Sequence, residues 1–117
     1  MNPQSLTQWL SALSLAERAR ALTLVSYWLT IHARDYGLIA RESEGQPSAL
    51  RKLLGINELH HKLVSQIGHY LDCQERTAYP MDVFSQILSQ TADNYGIGPA
   101  LASAIQHAQG RTTPPAC

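Results

Sequence analysis

Positive charge is missing from a long stretch of this chain: from Thr77 to Gly110 there is no lysine or arginine. Over all 117 residues, nine Lys and Arg balance nine Asp and Glu. Nucleic acids and anionic membranes draw most of their affinity from clustered cations. The balance therefore argues against both as partners, and against a DNA-binding regulator. The two cysteines, Cys73 and Cys117, are too few for a disulfide framework. They read as free thiols of a reducing compartment. The uncharged run from Ala21 to Ala33 falls short of the roughly 20 apolar residues of a spanning helix. It also contains His32. The start, MNPQSLTQWL, lacks the basic and apolar regions of a signal peptide. Together these absences lead us to expect a cytoplasmic protein with neither membrane nor nucleic acid as partner.

Catalytic spacings are missing as well. There is no nucleophile motif, phosphate loop or triad spacing, and no H-E-x-x-H or cysteine pair at ligand spacing. Neither a cofactor nor a metal is expected. An E-x-x-H does occur at Glu58–His61. A di-metal bundle needs that motif twice, with two further carboxylates.

What is present is helical periodicity. No alternating Val/Ile/Thr run is bounded by hairpin turns. Ser5-Leu6-Thr7-Gln8 and Ser14-Leu15-Ala16-Glu17 both read as capping boxes. The first opens a short helix carrying Leu6, Trp9, Leu10 and Leu13. The second opens a longer helix with two apolar stripes. One stripe is Leu15, Ala19, Leu22, Ser26, Leu29, Ala33 and Tyr36; the other is Leu24, Trp28 and Ile31. A helix apolar around most of its girth is buried on more than one side. Either it is the central helix of a bundle, or Leu24, Tyr27, Trp28 and Ile31 face another subunit.

Two segments, RDYGLI (34–39) and DNYGIG (93–98), place Tyr-Gly-aliphatic after a periodic stretch. Each reads as a Schellman stop, with the Gly left-handed and the aliphatic folded back onto Ala33 or Ala92. Similar residues align at an offset of 59 around both, over too few positions to establish a repeat. Pro47 suits the first turn of the next helix. Gly55 should break or bend it, leaving Asn57 as the N-cap of a helix to Asp72. The buried side of that helix is expected to hold Leu59, His60, Leu63, Val64, Ile67, Tyr70 and Leu71. Its polar line is Glu58, His61, Ser65, His69 and Asp72. Pro80 opens a helix with Met81, Phe84, Ile87, Leu88, Thr91 and Tyr95 on its stripe. Gly98-Pro99 opens the last, which Gly110 ends. The expected fold is all-α, a compact bundle of five to six helices with short loops. Residues 1–110 should form a single helical domain, and 111–117 (RTTPPAC) a disordered Pro-rich tail.

LTIHARDY (29–36), GINELHH (55–61) and YPMDVF (79–84) resemble the signature of a group of small helical bacterial proteins. There an ARD-Y helix end, an NE-x-H helix start and a YP-x-D helix start occur in this order. The resemblance covers roughly residues 14–110 and implies no activity. It singles out Arg34, Asp35, Asn57, Glu58 and His61. The same residues would form a polar corner if the end of one helix met the start of the next. The leading functional expectation is a non-enzymatic interaction module of adaptor, chaperone or immunity type, binding a protein partner or a second copy of itself. The alternative is an enzyme or small-ligand binder using that corner.

Overall fold

The computed structural model describes residues 3–42, 47–72 and 79–111, and the side chains of 4–35, 48–71 and 79–111. Among these the chain is all-α. Its five helices are α1 (Pro3–Ser11), α2 (Leu15–Glu42), α3 (Pro47–Asp72), α4 (Met81–Asn94) and α5 (Gly98–Arg111). No helix among the described residues is long and apolar enough to cross a membrane. Both cysteines and the tail from 112 onward lie outside the described residues.

Helix α2 is the centre. It packs against α3 on one side and α5 on the other, while α1 lies on α4. The four-residue connection from α2 to α3 makes them an antiparallel pair. The Arg18 guanidinium lies 5.8 Å from the centre of the Tyr70 ring, and Ser26 meets His60 further along. The core runs through Leu6 and Leu10 of α1, Leu22, Val25 and Leu29 of α2, and Leu59 and Leu63 of α3. It is completed by Phe84 and Leu88 of α4 and Leu101 of α5. Each such side chain contributes about 1.5–3 kcal/mol on burial.

Helix ends show which local signals prevailed. At the start of α2, Ser14 Oγ accepts from the Glu17 N–H at 3.2 Å, the first half of a capping box. Arg18 reaches back and donates from Nε to the Leu10 carbonyl at 2.8 Å, holding the end of α1. The stop at Gly96 forms as expected. Its φ is 69°, the Ile97 N–H bonds the Ala92 carbonyl at 2.8 Å, and the Gly96 N–H bonds Asp93 at 3.2 Å. Ile97 is fully buried, which supplies the apolar contact of a Schellman motif.

Four expectations are corrected. Gly37 is not a stop, because α2 continues through it to Glu42. Gly55 breaks nothing: α3 is continuous, so Asn57 is a mid-helix residue and no N-cap. Helix α1 starts at Pro3, which places Ser5 inside it. Gly110 lies within α5, which ends at Arg111.

The reason Gly55 is tolerated is tertiary. A Cβ there would meet the Cβ of Tyr95, with Tyr95 Cγ at 2.7 Å and Ile97 Cδ1 at 3.0 Å. The α4–α5 turn presses directly on the α3 backbone at this point. Arg51 closes the same joint, donating to the Asn94 carbonyl with its guanidinium 6.0 Å from the centre of the Tyr95 ring.

Candidate functional site

The polar residues that α2 and α3 turn toward each other converge on His60. Ser26 and Thr30 are four apart on α2 and so share a face. Ser26 Oγ lies 2.6 Å from His60 Nδ1, and Thr30 Oγ1 lies 3.4 Å from His60 Nε2. Thr30 spends its only hydroxyl proton on the Ser26 carbonyl, at 3.0 Å. Its oxygen must therefore accept from His60, which puts the ring proton on Nε2 and leaves Nδ1 to accept from Ser26. The imidazole is half-buried. Burial, and secondarily the neighbouring His61, holds its pKa below the ordinary 6.5, so His60 is neutral at pH 7.

His60 borders an open concavity of about 430 Å³ lined also by Asn57, His61, Val64 and Ser65. Of the residues anticipated for the polar corner, Asn57 and His61 are thus brought together. Arg34, Asp35 and Glu58 are exposed. Among the described residues no hydrogen bond or ion pair joins Arg34 or Asp35 to Asn57, Glu58 or His61. No group of three His, Cys, Asp or Glu is placed to hold a metal ion among the described residues. Ser26 donating to a neutral imidazole is the opening half of a nucleophile–base pair. The described hydrogen bonds supply no carboxylate to orient His60; its second partner is the Thr30 hydroxyl.

The second stripe of α2 lies elsewhere. Leu24 and Trp28 are half-buried against the core. The Trp28 ring stacks on His107 of α5, with centroids 4.2 Å apart and planes 17° apart. Tyr27 meets Trp28 edge-on, at 5.7 Å and 77°, and is 59% exposed. Ile31 is half-buried. Leu24, Tyr27, Trp28 and Arg111 line a second concavity of about 350 Å³.

The outer face of α3 holds what sequence reasoning missed. Val64 and Leu71, expected on the buried side, are 61% and 66% exposed. Leu50 and Leu54 are exposed too. Among the described residues, four of the eight exposed large apolar side chains lie on this one helix. A signal for Ser26 and Thr30 was available: they are polar residues at helical spacing within an apolar stretch, facing a helix with one polar residue on its apolar side.

No protein family, curated protein or solved structure matches this chain. The site has to be read from its own chemistry.

Proposed function

We propose that the chain is a non-enzymatic helical module that works by docking the outer face of α3 onto another protein, as an adaptor, chaperone or immunity protein would. The observation that carries this is the exposure of Leu50, Leu54, Val64 and Leu71 along one helix. Large apolar side chains gathered on one exposed face, rather than scattered singly, point to an interaction surface. The test is site-specific photo-crosslinking in cells producing the full chain. A photoreactive residue replacing Leu54 is compared with one replacing Gln90, an exposed residue of α4. Adducts from position 54 and not from 90 are expected. Equal, background-level labelling at both overturns the reading.

A second reading, small-ligand binding, is favoured by one feature: a neutral imidazole beside an amide, a hydroxyl and a second imidazole in a concavity of ligand size. A thermal-shift screen of metals and metabolites tests it. A stabilising compound whose effect His61→Ala abolishes would support it, and a screen without such a compound would reject it.

A further inference from the structure

Helix α3 carries two adjacent seams of heptad spacing. The inner seam holds Ala49, Ile56, Leu59, Leu63, Gln66 and Tyr70, all buried. The outer seam is Leu50, Leu54, Asn57, His61, Val64, Gly68 and Leu71, spaced alternately by four and three. All of these are exposed except Gly68, which is half-exposed. A Cβ added at Gly68 would meet nothing within 4 Å, so the seam is open along its length. A sustained 3.5-residue period is what one helix needs to keep a seam against another helix. The inner seam has its partners in α2 and α4; the outer one is left exposed among the described residues.

We infer that the outer seam pairs with the same seam of a second copy, the two α3 helices running antiparallel. This rests on the docking reading above and names its partner. The argument for a second copy is self-complementarity. An antiparallel seam sets a positions of one helix against d positions of the other. With the two-fold axis near Leu59, Asn57 of each copy faces His61 of the other, amide to imidazole. Leu54 then faces Val64, and Leu50 faces the open space at Gly68. Polar meets polar, apolar meets apolar, and a large side chain meets the one position without a Cβ. Sliding the pair by one heptad would set Asn57 against Gly68 and His61 against Val64, which satisfies neither polar group. No seam residue is an Asp, Glu, Lys or Arg, so no full charge is desolvated. Glu58 of the two copies would flank the axis at the exposed rim, where salt screens their repulsion. An uncharged seam is also a poor fit to a lipid surface, which calls for basic residues.

The size of the contact sets its strength. The paired part of the seam, Leu50 to Gly68, spans about 27 Å of helix, and its three large apolar side chains are already about half covered. That places the dimer in the small, transient class of interfaces, with dissociation on the order of tens of micromolar, about −6 kcal/mol.

Sedimentation equilibrium of the full chain from about 5 to 500 μM is the first test. A monomer–dimer equilibrium is expected, shifted to monomer at least tenfold by Leu54→Glu with helical circular dichroism unchanged. The second test fixes the geometry. In a Cys73→Ser, Cys117→Ser background, Leu54→Cys with Val64→Cys should form a covalent dimer on mild oxidation, and Leu54→Cys alone should not. A wild-type chain monomeric at 500 μM overturns self-pairing, and covalent dimer from Leu54→Cys alone overturns the antiparallel alignment. If the monomeric chain still gives photo-adducts from position 54 to a different protein, the docking reading survives while self-pairing falls. If position 54 labels nothing above background, both fall.

Discussion

The same substitution at two positions of one helix should move stability in opposite directions. Gly55 and Gly68 both lie in the unbroken interior of α3. Intrinsic propensity favours Ala over Gly at each by about 1 kcal/mol. At Gly68 nothing opposes that gain, since a Cβ there has open space within 4 Å. At Gly55 the new methyl collides with Tyr95 near its attachment to the backbone, at Cβ and at Cγ 2.7 Å away. A rotamer change cannot move these atoms far. Tyr95 is the C-cap of α4 and precedes Gly96, whose φ of 69° anchors the turn. Relief therefore requires α3 and the α4–α5 turn to separate, which also loosens Arg51 from the Asn94 carbonyl. Overpacking of this kind costs about 1–3 kcal/mol, and the rigidity of the neighbour favours the upper part. Gly55→Ala should lose a net 1–2 kcal/mol, and Gly68→Ala should gain up to about 1 kcal/mol. In a domain of this size 1 kcal/mol is about 4 °C in Tm. Melts followed by circular dichroism at a few micromolar, where monomer dominates, read both. A Gly55→Ala protein melting at or above the wild type would refute the close approach and restore propensity as the ruling effect.

The depressed pKa of His60 makes the unfolded chain bind more protons in the acid range, so stability should be full above about pH 6.5 and decline as pH falls below it. His60→Gln, compared with wild type by chemical denaturation at pH 7.5 and 5.5, should show a shallower decline, and equal slopes would mean that burial between α2 and α3 does not hold the ring neutral. Trp28→Glu should lower Tm by about 10 °C or more, since it removes a half-buried indole stacked on His107 and puts a charge beside the core. A well-folded Trp28→Glu monomer from a dimeric wild type would instead return the subunit contact to α2.

How far the fold was legible is clearest at the two Tyr-Gly-aliphatic segments. After Gly96 comes Ile97, which finds the core, and then Gly98-Pro99, which starts a new helix. After Gly37 come Leu38, Ile39, Ala40, Arg41 and Glu42, with no proline and mostly good helix formers. One Gly costs about 1 kcal/mol, too little to end a helix whose flanks both propagate. The residues after the glycine make the stop, and the local motif alone did not distinguish the two. Gly55 failed for a different reason. Its role is set by Tyr95, 40 residues away in sequence, and no local pattern carries that contact.

The candidate site was half legible, for a reason that lies in the pattern of α3 itself. Apolar residues stand side by side at 49 and 50, 53 and 54, 63 and 64, and 70 and 71. Periodicity reveals two apolar seams but not which one faces inward, because that is decided by where α2 and α4 sit. Assigning Val64 and Leu71 to the core merged the two seams into one broad face and hid the outer one. The polar residues suffered the converse error. Asn57 and His61 drew notice as the start of a helix at a corner, and that corner depended on a break at Gly55. In the unbroken helix they occupy the middle of the outer seam, flanked on both sides by exposed Leu and Val. Polar residues there weaken a helix–helix contact while fixing its register and orientation. The residues first taken for a binding corner are thus better placed to specify how two copies align than to hold a ligand, and Asn57→Leu separates these roles. It should tighten self-association while letting Leu54→Cys alone crosslink, as alignment is lost. Unchanged affinity and unchanged crosslinking would show that Asn57 lies outside the contact.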